Sequence, residues 1–380
     1  MTADFYSEPQ YRIGIQAAVH EQPLRTNALT LEKVKNMRYP EFLKEKGTIG
    51  FIAPSFGCSF EPYITAFDSA QRFFREKGFQ MVIGPNCYAD AGIGISNTPG
   101  LCGKELNEAY LSDESDVLIS CGGGELMCEV VPYIDFEKIA RTRPKWYMGY
   151  SDNTNFTFLS ATLADTAAIY GPCAGAFGMI PPHESIEDAF ELLEGRKTEI
   201  HGYRMWEKES LKSEEDPTAA YNLTEKTVFH YYPESLREKG ISVRGRLLGG
   251  CLDCLSMLTG TRFDKVPQFA DKYKKDGIIW FIESCDLNVM GIRRALWQMK
   301  EAGWFENVKG FLIGRPLHFG EDMMGLDQYS AVTGALQEFG VPIIMDLDIG
   351  HLPPMMPVIT GAVAQVEARR DEISIRYSLE

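Results

Sequence analysis

Val117-Leu118-Ile119-Ser120-Cys121-Gly122-Gly123-Gly124 runs from an unbroken apolar stretch into three consecutive glycines. A helix-like segment follows and ends in Val130-Val131-Pro132-Tyr133-Ile134-Asp135. That order is strand, tight turn, helix, a geometry that presents backbone N–H groups at the carboxyl end of a buried strand. Two chemistries favour it: phosphate cradling, and nucleophilic attack supported by an oxyanion hole. The residues after the glycines, Glu125-Leu126-Met127-Cys128-Glu129, supply neither the Lys nor the Ser/Thr of a P-loop. Their two carboxylates also disfavour an anion at the turn. Acyl chemistry is the better reading, although the turn carries no hydroxyl of its own.

Outward from this stretch, apolar runs alternate with helical patterns. Strands are predicted at 49–54, 80–83, 146–150 and 168–170, with helices at 63–77, 104–112 and 128–141, and Ser151-Asp152-Asn153 opening another helix. Such alternation predicts an α/β fold with a parallel sheet and sites at the strands' carboxyl ends. A second regular region carries strands at 277–282, 310–313 and 341–345 and helices at 292–302 and 330–339. It closes with a hairpin of 363–366 and 373–377. Residues 1–45 read as an amino-terminal extension, 46–182 as the α/β domain with the glycine turn, and 245–380 as a carboxyl-terminal domain. The stretch 183–244 is rich in Glu, Lys and Ser, is broken at Glu214-Glu215-Asp216-Pro217, and reads as a linking segment with a few short strands.

The bulk numbers bound the function. The 380 residues suffice for two domains, and 44% hydrophobic with 12% aromatic residues suffice for a full core. A net charge of -15 argues against nucleic acid or an anionic membrane as partner. No apolar stretch approaches the ~18 residues of a membrane span, and Met1-Thr2-Ala3-Asp4-Phe5-Tyr6 lacks the features of a signal peptide. Nine scattered cysteines suggest reduced thiols in a cytoplasm. Cys251-Leu252-Asp253-Cys254 is a lone C-x-x-C, weak evidence for zinc or redox work.

Several side chains could carry chemistry. Glu283 follows Ile278-Ile279-Trp280-Phe281-Ile282, where a carboxylate must face a polar site or be paired; a helix cap or an ion pair with Arg293 or Arg294 is the plainer alternative. His351 sits in a Gly/Pro-bounded loop after 341–345, well placed for general-base work or, more simply, packed and hydrogen-bonded. Ser151, in Gly149-Tyr150-Ser151-Asp152-Asn153, resembles the centre of a G-x-S-x-G nucleophile elbow. The second glycine is absent, which favours a capping or loop-stabilising role. Ser55 is placed to line a pocket or cap a turn, and Cys128 reads most simply as a buried helix residue.

Taken in order, Ile52-Ala53-Pro54-Ser55, Gly123-Gly124 with Pro132-Tyr133-Ile134-Asp135, Gly149-Tyr150-Ser151-Asp152, Tyr170-Gly171-Pro172, Leu248-Gly249-Gly250, Phe281-Ile282-Glu283 and Gly350-His351 resemble the LD-carboxypeptidase family of serine peptidases, which includes the microcin C immunity proteins. The resemblance covers about residues 48–366. It implies an amino-terminal parallel-sheet domain with the nucleophile turn, a smaller carboxyl-terminal α/β domain, and a site in the crevice between them. It further implies a cytoplasmic homodimer, chemistry without metal or cofactor, and cleavage of an amide in a peptidoglycan-derived peptide or a peptidyl-nucleotide.

Of the family's Ser–Glu–His triad, the acid and base fall on Glu283 and His351. Counted from the Gly-Gly pair, the serine position falls on Met127, whose thioether cannot act as a nucleophile toward an amide. Cys128, one residue on, is the candidate replacement; Gly123, Gly124 and Ser151 are assigned to the oxyanion and substrate. Three readings follow: a hydrolase with an altered nucleophile, a catalytically silent relative that binds such ligands, and a glutamine-amidotransferase-like cysteine hydrolase using Cys128.

Overall fold

A computed structural model describes residues 36–379. Of the predicted amino-terminal extension, residues 1–35 therefore lie outside the described residues. The first sheet has six strands, in spatial order Val358–Thr360, Ala168–Tyr170, Trp146–Gly149, Val117–Ser120, Thr48–Ile52 and Gln80–Ile83. The five that follow one another in the chain are parallel. Four of these five are almost wholly buried along their length, as expected for strands covered on both faces. The strand order reverses between Thr48–Ile52 and Val117–Ser120, the place where an open parallel sheet leaves a crevice at its carboxyl edge. Val358–Thr360, three residues too short to give a periodic signal, crosses from the later half of the chain and pairs antiparallel with Ala168–Tyr170.

The second sheet has eight strands, in the order Glu199–His201, Glu372–Ser378, Val363–Arg369, Ile241–Cys251, Ile278–Glu283, Val308–Gly314, Ile343–Leu347 and His230–Tyr232. Its central four are parallel and its outer pairings antiparallel. The chain is thus mixed α/β with two parallel-strand sheets, as the alternating pattern predicts. The stretch 183–244 is more than a link. It folds the helix Glu184–Leu193, supplies both edge strands of the second sheet, and forms a separate ribbon from Met205–Glu207 and Leu223–Lys226.

The two halves meet through apolar surface. Helix Thr154–Ala164 is buried on nearly every side. Its Phe158 stacks on Trp304 at 5.3 Å between ring centroids, and Trp304 stacks on Trp280 of the second sheet. At the start of the same helix, Thr154 Oγ1 accepts the Cys251 N–H at 2.9 Å. The carboxyl ends of both sheets are therefore held at a fixed spacing across the crevice.

Candidate active site

Strand Trp146–Gly149 ends in Tyr150, and the chain turns at once into the short helix Ser151–Asn153. Ser151 takes φ +63°, a left-handed conformation uncommon for a residue with a Cβ. A turn this sharp brings positions 149 and 153 together. A Cβ on Gly149 would lie 2.8 Å from Asn153 Cγ, so one glycine suffices and the second position is free to carry a side chain. Asn153 uses it: Nδ2 donates to the carbonyls of Gly122 (2.8 Å) and Tyr150 (3.0 Å), and Oδ1 accepts from Tyr147. The missing glycine of the G-x-S-x-G pattern is replaced by an amide that ties the serine turn to the glycine turn.

Ser151 Oγ lies 2.9 Å from His351 Nε2, and His351 Nδ1 lies 2.8 Å from Glu283 Oε2. A carboxylate cannot donate, so Nδ1 carries a proton, and in the neutral imidazole Nε2 accepts from the serine hydroxyl. Glu283 is the last residue of strand Ile278–Glu283 and is 1% exposed. Its second oxygen accepts from Tyr170 at 2.5 Å, and the same phenol accepts the Ser151 N–H at 3.2 Å. One tyrosine therefore braces both ends of the relay. Burial raises the Tyr170 pKa well above its ordinary value, and the Glu283 carboxylate adds to the rise, so the phenol stays a donor. Gly350, at φ +110°, lets the His351 loop pass over the acid: a Cβ there would sit 2.6 Å from Glu283 Oε2.

Burial works against a charged imidazole at His351, but the Glu283 carboxylate, with the Cys285 thiol beside it, outweighs burial and holds the pKa well above the ordinary value. The ring packs on Tyr150, with centroids 5.1 Å apart.

Asp152, next to the serine, is 2% exposed and accepts from Ser55 Oγ (2.5 Å), Met127 N–H (2.8 Å) and Asn155 Nδ2 (2.9 Å). It joins the loop after the first strand, the helix after the glycines and the serine turn. Ser55, expected to line a pocket or cap a turn, is buried in this network.

The assignment of the nucleophile position to Met127 is corrected here. Its side chain is fully buried in the core, and only its backbone reaches the site, through Asp152. Cys128 is half-buried, burial pushes its thiol up, and no hydrogen bond joins it to His351 among the described residues. A thiolate nucleophile needs the opposite, a base or positive field that lowers its pKa. The hydroxyl that faces the imidazole comes from the next strand along.

Gly123 lies against the serine; a Cβ on it would be 3.0 Å from Ser151 Cβ and 3.1 Å from Oγ. Its carbonyl accepts the Phe56 N–H, while the N–H groups of Gly123 and Gly124 bond no acceptor among the described residues. Beside His351 and these glycines opens a cavity of about 310 Å³, walled also by Tyr63, Glu207, Lys212 and Tyr221. Three of those residues come from 183–244, the stretch the sequence pattern reads as a linking segment. The Cys251/Cys254 pair belongs to no group of three or more metal-binding side chains among the described residues.

Residues 49–171 match the LD-carboxypeptidase N-terminal domain, and residues 244–366 match the C-terminal domain of the same family. The chain belongs to the LD-carboxypeptidase family. The protein named "Putative carboxypeptidase YocD" of Bacillus subtilis (strain 168) is 24% identical over 270 residues, 70% of this chain and 76% of its own length. Among solved structures, the wild-type apo microcin C7 self-immunity protein MccF aligns with a TM-score of 0.73 at 22% identity, over 90% of this chain and 98% of its own. An MccF-like protein from Bacillus anthracis str. Ames aligns with a TM-score of 0.75 at 20% identity, over 90% and 99%. These likenesses support the shared fold. No helix among the described residues is long and apolar enough to cross a membrane.

Proposed function

We propose that this protein is a serine hydrolase of LD-carboxypeptidase type that cleaves an amide in a small peptidoglycan-derived peptide or a peptidyl-nucleotide. The observation that carries the reading is the 2.9 Å contact between Ser151 Oγ and His351 Nε2, with Glu283 behind the imidazole. In the proposed reaction Ser151 Oγ attacks the scissile carbonyl while His351 Nε2 takes its proton. Glu283 stabilises the imidazolium, and the unengaged N–H groups of Gly123 and Gly124 receive the developing oxyanion. His351 then returns the proton to the leaving amine, which departs and leaves an acyl group on Ser151. Water, deprotonated by the same imidazole, releases the acid and restores the serine.

The substrate class draws on the relatives. MccF has been solved with glutamyl sulfamoyl guanosine and with aspartyl sulfamoyl adenosine, and a MccF variant with adenosine monophosphate. The family's name points to peptides ending in a D-amino acid. The silent-relative reading rests on Met127 at the serine position and the cysteine-hydrolase reading on Cys128 close to His351; the burial of Met127 and the absence of a hydrogen bond from Cys128 to His351 among the described residues favour the serine reading over both. The test is release of the terminal amino acid from a muropeptide tetrapeptide or a peptidyl-adenylate, followed by mass spectrometry. Release by the intact chain and its loss in Ser151→Ala support the proposal. Equal release from both, or none from the intact chain on either substrate, overturns it.

A further inference from the structure

The 183–244 segment brings one cation to the cavity beside the relay. Lys212 lines that cavity, with its ammonium 5.8 Å from the centroid of the Tyr63 ring. No carboxylate lies within 4.0 Å of it among the described residues. Glu207, the carboxylate in the same wall, is 4% exposed and turned to other work: its Oε2 accepts the Asn222 N–H at 2.5 Å. Burial lowers the Lys212 pKa, the cost of removing a cation from water without a counter-ion. An arriving anion would offset that cost, which an apolar or cationic ligand could not do.

We propose that Lys212 binds an oxyanion of the substrate, a carboxylate or a phosphate, in the cavity beside His351. The proposal rests on the hydrolase reading for the identity of the cavity as the substrate site, and it adds the charge of the substrate. Lys212 has no hydrogen bond to Ser151 or His351 among the described residues. It therefore acts on binding and orientation, with bond-making left to the relay. The Tyr63 ring, 5.8 Å from the ammonium, is its cation–π neighbour in the cavity wall. The two sources of such an anion are the terminal carboxylate of a peptide and the phosphate of a nucleotide.

The test is calorimetric binding to the full-length chain carrying Ser151→Ala, so that bound probes are not consumed. Two pairs of probes differ only in the anion: a muropeptide tetrapeptide against its carboxyl-terminal amide, and adenosine monophosphate against adenosine. The expected result is that, in one pair, the charged member binds about tenfold or more tighter than the neutral one. Adding Lys212→Met should remove that difference without weakening the neutral member, and Lys212→Arg should restore most of it. Discrimination within the peptide pair assigns the carboxylate, and within the nucleotide pair the phosphate. The proposal is overturned if Lys212→Met leaves both differences intact, if it weakens charged and neutral probes alike, or if no charged probe binds better than its neutral partner. Failure of the hydrolase reading is seen separately, as absence of amino-acid release by the intact chain, and it leaves this binding comparison readable.

Discussion

Replacing Glu283 by Gln keeps the shape of the buried acid and removes its charge. Glu283 Oε2 lies 2.8 Å from His351 Nδ1, and the carboxylate is 1% exposed, so solvent does little to screen the pair. An ion pair formed as His351 takes the serine proton, with charges about 4 Å apart at an effective dielectric near 20, is worth about 4 kcal/mol. Its loss corresponds to a fall in kcat of about a thousandfold. The pH profile supplies a second, independent sign. The base must be neutral to accept a proton, so kcat/KM of the intact chain should rise with pH through an imidazole pKa that Glu283 holds above its ordinary value near 6.5. In Glu283→Gln that limb should move to lower pH, because the carboxylate that favours the imidazolium is gone. The assay is amino-acid release across the pH range at substrate concentrations below KM. A variant that keeps kcat within about tenfold and an unshifted acid limb would refute the reasoning, because an acid so placed cannot be both coupled to the base and dispensable.

Other outcomes follow from the same geometry. Cys128→Ala should leave kcat/KM within about threefold, whereas Met127→Ser should not improve turnover and should lower unfolding stability by about 2–5 kcal/mol in denaturant titration, because it empties core volume around a fully buried side chain. Tyr170→Phe removes the donor to Glu283 and the acceptor of the Ser151 N–H. It should cost about 1–3 kcal/mol of stability and slow turnover at least several-fold, read by denaturation and by kcat together. Gly123→Ala puts a methyl 3.0–3.1 Å from the Ser151 side chain. Its kcat should fall by about tenfold or more while the melting temperature moves little, the signature of a displaced nucleophile rather than a damaged core.

Much of this architecture can be read from the chain because parallel strands are buried on both faces and so appear as continuous apolar runs. Ala168–Tyr170 falls where the pattern puts it, as does the largely exposed edge strand Gln80–Ile83, and the other predicted strands differ at their ends by at most three residues. Glu283 is legible for a related reason: five apolar residues leading into a carboxylate force a polar partner, and His351 is that partner. The edge strands within 183–244 and the crossing strand Val358–Thr360 are three residues long, too short for a period of two to register, and pairing rather than propensity defines them. The predicted single helix over 128–141 is broken into Met127–Val130 and Phe136–Arg141, because Pro132 has no N–H for the ladder and Asp135 caps a fresh start.

The sequence signal at Ser151 is local and easily outweighed by the glycine turn. Counting along the chain from the glycine pair assumes that the turn supplying the oxyanion donors also supplies the nucleophile. In the proposed mechanism the two come from neighbouring strands, whose turns are joined through Asn153 and Asp152. That signal is a Gly two residues before a Ser at the end of an apolar run. Its apparent defect, the absent second glycine, vanishes once Gly149 alone is seen to relieve the crowding.

The central claim is that Ser151, and no thiol, is the group His351 activates. The direct measurement is to trap the intact chain with a fluorophosphonate or an electrophilic substrate analogue and locate the adduct by peptide mass spectrometry. One equivalent on Ser151, lost when His351 is changed to Ala, is the predicted result. Modification at Cys128 with Ser151 untouched would contradict it.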